Sequence, residues 1–170
     1  MAVLEIRKYP DDVLKGRALA VEALDGGLQR LIDDMIETMY AASGVGLAAP
    51  QVGVPRRLIV VDVSLREGED TGLIVLCNPE LVVEEGSVES EEGCLSLPGF
   101  ITKIRRAEKV TVRGLDREGR ETAVEASGLL SMALQHELDH LNGTLILDRT
   151  SFIKREFFKK QLQKSQLKAG

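Results

Sequence analysis

Apolar residues recur at three- and four-residue steps through Leu28, Leu31, Ile32, Met35, Ile36, Met39 and Tyr40. This spacing predicts an amphipathic helix from about Asp25, with Asp33, Asp34 and Glu37 on its wet side. Ser43-Gly44 should end it, since glycine adopts the left-handed conformation that closes helices. The pattern then shortens. Arg57-Leu58-Ile59-Val60-Val61-Asp62-Val63 is β-branched and reads as a buried strand. Residues 66–72 read as a polar hairpin or loop. Leu73-Ile74-Val75-Leu76-Cys77 is a second strand, stopped by Asn78-Pro79 and resumed by Glu80-Leu81-Val82-Val83. Val110-Thr111-Val112-Arg113 and Thr122-Ala123-Val124-Glu125-Ala126 alternate on either side of Asp116-Arg117-Glu118-Gly119, as a hairpin does.

Helical spacing returns after Ser127, a cap residue, through Leu129, Leu130, Ala133, Leu134, Leu138 and Leu141, and closes at Asn142-Gly143. The apolar stripe is broad, which places this helix in the middle of the fold. Thr144-Leu145-Ile146-Leu147 continues into the core. Thr150-Ser151 then caps a last helix containing Phe152, Ile153, Phe157, Phe158 and Leu162. The order predicts an α+β fold of mostly antiparallel strands and hairpins around the central helix, not alternating βα units. With no repeat, low-complexity tract or linker, residues 1–170 read as one domain, its basic C-terminal helix spanning about 150–168.

Composition narrows the setting. No apolar run approaches the ~20 residues of a membrane span. The first seven residues lack the basic leader and apolar core of a secretory signal. Cys77 and Cys94 are too few for a disulfide framework, so a cytoplasmic protein with reduced thiols is expected. Cys77, inside an apolar run, reads as a buried small hydrophobe. The net charge of −5 conceals an acidic body and a basic tail: Lys154, Arg155, Lys159, Lys160, Lys164 and Lys168 face a single acid, Glu156. Such a tail is either a solvated helix or an attractor for a polyanion.

The chemistry concentrates on Gln135-His136-Glu137-Leu138-Asp139-His140, which holds both histidines of the chain. On a helix, residues four apart fall ~40° from one another and ~6 Å along the axis, so His136 and His140 share a face. Glu137 flanks them. In this His-Glu-x-x-His arrangement the histidines hold a metal and the glutamate handles protons for a water. Asp139 turns away and is a candidate partner for Arg105 or Arg106. A third ligand is offered by Cys94, between Gly93 and Ser96 in a segment broken by Pro98-Gly99. Thiolate suits zinc or ferrous iron, and three protein ligands leave one position open. Gly44-Val45-Gly46-Leu47-Ala48-Ala49-Pro50-Gln51 is a loop of small residues that lets backbone approach a ligand, unless it is only a tight connection. Gln51 alone there carries both a donor and an acceptor side chain.

Together, the segments 44–51, 92–96 and 135–143 resemble the three signature motifs of peptide deformylases, and the terminal helix is similar to that of the bacterial members. The resemblance implies a metallohydrolase that removes the formyl group from N-formyl-methionyl nascent peptides and releases formate. It implies Cys94, His136 and His140 as metal ligands and Glu137 as the proton carrier. Gln51 and the backbone N–H of Leu95 match the donors to the oxyanion. The Gly46 backbone would pair with an extended peptide, and Val45, Leu129, Met132 and Ala133, with His136, would line the methionine pocket. The native ion in the family is Fe2+, with Zn2+, Ni2+ or Co2+ able to occupy the site. Two rival readings are a His-Glu-x-x-His peptidase and a metal-stabilised binding protein without turnover. The first lacks a further His or Glu ligand motif downstream; the second would want a closed four-ligand site and no base.

Overall fold

The computed structural model describes residues 2–67 and 71–169. Helix α1 spans Gly26–Ala41, with the Asp25 carboxylate accepting from Leu28 N–H at 2.9 Å as its cap. It ends as expected, but at the other residue of the pair: Ser43 takes the positive φ of 55°, and Gly44 N–H closes back on the Met39 carbonyl at 3.0 Å. Helix α2 (Ser64–Glu67) occupies the start of the segment read as a polar loop, capped by Asp62 accepting from Ser64 N–H. The remainder of that segment lies partly outside the described residues.

Five strands form one antiparallel sheet in the order β1 (Gly46–Ala48), β2 (Leu58–Val61), β3 (Ile74–Glu85), β6 (Lys109–Leu115), β7 (Glu121–Ser127). The sheet lies between two helices. Leu58 and Val60 pack with Ile32, Met35 and Met39 of α1, whereas Ile59 and Val61 pack with Leu134, Leu138 and Leu141 of α3 (Gly128–Leu141). Burial on both faces explains why β2 is uninterruptedly apolar. Strand β3 is not stopped at Asn78-Pro79. It absorbs the proline, which cannot donate to the ladder, in a register shift between Cys77 and Glu80 with Asn78 at φ +51°. The Asn78 side chain bonds both backbone groups of Val21, at 2.7 and 3.0 Å.

A second sheet has two strands, β4 (Val88–Cys94) and β5 (Leu97–Arg106). The strand pattern of β5 was hidden because its buried face carries Thr102 and Arg106 beside Leu97, Phe100 and Ile104. Ser127 stands at the start of α3 with extended backbone, but its side chain makes no capping hydrogen bond. Gly143 ends that helix with φ +77°, where a Cβ would come within 2.4 Å of the Lys15 carbonyl oxygen. Short helix α4 (Ile146–Arg149) drives Leu145, Ile146 and Leu147 into the core and leads to α5 (Phe152–Ala169). Of the apolar residues expected to anchor α5, Phe158 is buried, while Phe152, Ile153 and Phe157 are exposed. No helix among the described residues is long and apolar enough to cross a membrane.

Candidate metal centre

Helix α3 carries His136 and His140 with ring centroids 5.0 Å apart. The β4–β5 turn brings in the sulfur. Its register slips between Gly93 and Cys94, which ends the strand beside the helix, and Cys94 Sγ lies 3.4 Å from His140 Nε2. Ligand atoms of Cys94, His136 and His140 all lie within 4.8 Å of one another, the only such cluster of metal-binding residue types among the described residues. One sulfur and two imidazoles make a donor set suited to zinc or ferrous iron. Glu137 Oε1 is buried beside the cluster without a hydrogen-bond partner, so the site has bonding capacity that the protein alone leaves unmet. These residues fit a divalent ion.

The surrounding groups tune the cluster. His136 Nδ1 lies 3.0 Å from Glu92 Oε1, which leaves Nε2 for a ligand and fixes the ring as an outer carboxylate does in metal sites. Burial opposes a charge on His136, yet Cys94, Glu92 and Glu137 outweigh it and hold its pKa well above the ordinary value. Burial, with His136 and Arg106 adding, pushes His140 well below. Burial likewise pushes Glu137 up to about 7, with His136 and Arg106 opposing and Glu92 and Asp139 assisting. Burial alone would raise Glu92, but its bonds to Arg106 and His136 win and hold it at about 2.

Gln51 is fixed in orientation. In the 3-10 turn Ala49–Val52, its Oε1 accepts from Ala48 N–H at 3.0 Å. Its Nε2 donates to Ser96 Oγ at 3.1 Å and points at Cys94 Sγ from 3.8 Å. The amide hydrogens therefore face the cluster. Edge strand β1 passes Glu137 at Gly46. Val45, Gly46, Gln51, Leu95, Leu129, Met132, Ala133 and Glu137 line one open cleft of about 710 Å³ together with Cys94 and His136. His140 lies behind it, 1% exposed.

The profile of the polypeptide deformylase family matches residues 3–156. The chain belongs to that family. It is 60% identical over 163 residues to the peptide deformylase of Thermodesulfovibrio yellowstonii, covering 96% of this chain and 98% of that one. It is 51% identical over 164 residues to that of Syntrophobacter fumaroxidans, covering 96% of each. The crystal structure of a peptide deformylase from Legionella pneumophila superposes with a TM-score of 0.91 at 48% identity, over 99% of this chain and 98% of that one. The peptide deformylase of Ehrlichia chaffeensis in complex with actinonin gives 0.91 at 41% identity, over 97% and 98%. Membership makes the chain a metal-binding hydrolase of protein biosynthesis, and the α+β expectation holds.

Asp139 pairs with Arg106 at 2.7 Å, not with Arg105. Glu92 and Ser96 are given no role by the sequence, and Arg106 enters there only as a candidate partner for Asp139. The signal was present for Glu92, two residues before Cys94, but its partner Arg106 comes from the strand whose alternation was masked.

Proposed function

We propose that the chain removes the formyl group from the N-formyl-methionyl end of nascent polypeptides through Cys94, His136, His140, Glu137, Gln51 and Leu95. The observation that carries this assignment is the convergence of Cys94 and the two histidines within 4.8 Å, on the cleft that Glu137 and the Gln51 amide also line. Held by that sulfur and two imidazoles, a divalent ion supplies Lewis acidity, which lowers the pKa of a water toward ~7 in favourable sites. Ferrous iron is the native ion in this reading, with zinc, nickel or cobalt able to replace it. Which one is bound depends on supply and geometry more than on intrinsic preference.

The chain's own groups do the rest. Glu137, buried and with a pKa near 7, is poised to take a proton from the attacking water and return it to the departing amine nitrogen. Gln51 Nε2–H and the Leu95 N–H donate to the formyl oxygen as negative charge develops there. The Gly46 backbone pairs with the extended peptide, since β1 lies at the edge of the sheet. Val45, Leu129, Met132 and Ala133 take the methionine side chain against the His136 face of α3. The whole chain acts as one catalytic domain in the cytoplasm. Its α5 offers Lys154, Arg155, Lys159, Lys160 and Lys164 to ribosomal RNA, with Phe152, Ile153 and Phe157 exposed beside them.

Formate release from formyl-Met and acetyl-Met peptides, with metal analysis of an anaerobic preparation, tests the reading. Release from the formyl peptide alone supports it, and equal cleavage of both or of internal bonds favours a peptidase. Glu137→Ala should keep fold and metal but lose turnover. A wild-type protein that releases no formate would return the site to a binding role.

A further inference from the structure

One proposed ligand, His136, is braced from behind by a row of charged groups that runs to the protein surface. Glu92 Oε1 meets His136 Nδ1 at 3.0 Å. Arg106 engages both oxygens of that carboxylate, Nη2 to Oε1 at 2.8 Å and Nε to Oε2 at 2.9 Å. Its other terminal nitrogen, Nη1, donates to Asp139 Oδ2 at 2.7 Å. Asp139 is then clasped from outside by Arg149, with Nε to Oδ2 at 2.6 Å and Nη2 to Oδ1 at 2.8 Å. Side-chain exposure is low at Glu92 (8%) and Arg106 (2%), and rises outward from Arg106 to 13% at Asp139 and 43% at Arg149.

The charges explain why the outermost member matters. With Arg149 in place, two carboxylates face two guanidinium groups, and the mostly buried row is neutral. Without it, one buried guanidinium serves two carboxylates, and Asp139 competes with Glu92 for it. A planar fork engaged bidentately holds direction as well as charge, which a lysine cannot fully reproduce. Arg149 is also the last residue of α4, so the same contact ties the root of α5 to the histidine helix.

We propose that Arg149 is a positioning residue for the metal site: acting through Asp139, Arg106 and Glu92, it fixes the orientation and tautomer of His136 and so prolongs retention of the ion. This rests on His136 being a metal ligand.

The test uses the full chain loaded with zinc and follows zinc release to a chromogenic chelator. Groups that brace ligands typically change metal affinity 10–100-fold, and Arg149 stands further out. Arg149→Gln should therefore speed release about three- to tenfold, with Arg149→Lys recovering part of the loss. In a Glu92→Gln background, which cuts the row, Arg149→Gln should add less than about twofold. If Glu92→Gln does not fold, Asp139→Asn makes the cut and the same small increment is expected. An unchanged release rate in Arg149→Gln overturns the proposal, as does an equal increment with the row intact and cut. His136→Ala separates the two levels: zinc held as tightly as in the wild type would overturn the ligand assignment itself. Zinc loss there, with Arg149→Gln silent, would overturn the positioning role alone.

Discussion

Glu137 leaves no room for a side chain on Gly46: a Cβ built at position 46 lies 2.5 Å from Glu137 Oε2 and 3.0 Å from its Cδ. A methyl group there must push the carboxyl aside or bend β1 away, and neither keeps the proposed proton carrier in register with the cluster. Gly46→Ala should therefore lower kcat/KM at least ~100-fold, the scale of a misplaced general base, with metal content unchanged. Parallel activity and metal measurements check it. Full activity in that variant would mean that Glu137 works from another position.

Gln51 has a structural task beside the chemical one proposed for it. Its Oε1 is bound to Ala48 N–H and its Nε2 to Ser96 Oγ, and it is 2% exposed. As an oxyanion donor, its loss should cost ~2.7–4 kcal/mol of transition-state stabilisation, seen in kcat with little change in KM. Gln51→Ala should also lower folding stability by about 1–3 kcal/mol, because the two buried partners lose their bonds. A rise in KM with kcat unchanged would assign Gln51 to binding.

The contrast between legible and hidden parts follows from what each part depends on. The two histidines and Glu137 were readable because one helix sets their spacing, and helix α3 announces itself by its apolar period. Cys94 was readable as a thiol among turn residues. Of the brace behind them, only the Asp139–Arg106 pair was readable, as one of two candidate partners. Arg106 and Thr102 occupy buried positions of β5, where their partners Glu92, Asp139 and Thr150 come from other elements. A polar residue satisfied across the fold looks, in sequence, like an exposed one. The left-handed residue after α1 is Ser43 and not Gly44, because the helix ends at Ala41, one residue too early for glycine to fill that position.

Glu92 gives the protein a measurable acid dependence. Its carboxyl has a pKa of about 2 in the folded chain against an ordinary 4.5. A folded pKa below the unfolded one means stabilisation that is complete above about pH 4.5 and lost as pH falls toward 2. The shift corresponds to roughly 3 kcal/mol at neutral pH. In metal-free protein, the gap in unfolding free energy between wild type and Glu92→Gln should be largest near pH 5. Below about pH 4.5 the gap should narrow by about 1.4 kcal/mol per unit, in a window beneath the histidine range. Urea titrations at pH 5 and 3.5 read this directly, and a gap that stays constant would mean that Glu92 is not held ionised by Arg106.

Two adjacent phenylalanines on α5 should respond in opposite ways. Phe158 is 8% exposed, with its ring centroid 4.9 Å from that of Phe100 and 6.1 Å from that of Tyr9, whereas Phe157 is 63% exposed. Phe158→Ala removes a core aromatic and should cost about 3 kcal/mol, lowering Tm by roughly 6–12 °C. Phe157→Ala should stay within about 0.5 kcal/mol of wild type. The difference also decides how the basic helix is to be tested. Deleting everything after Asp148 would take Phe158 and Arg149 with it and confound docking with unfolding. Replacing Lys159, Lys160 and Lys164 by glutamine keeps both anchors. That variant should melt like the wild type, hydrolyse small formyl peptides normally and co-sediment less with ribosomes, most visibly at low salt. Co-sedimentation unchanged at low salt would assign the tail's charge to solvation alone.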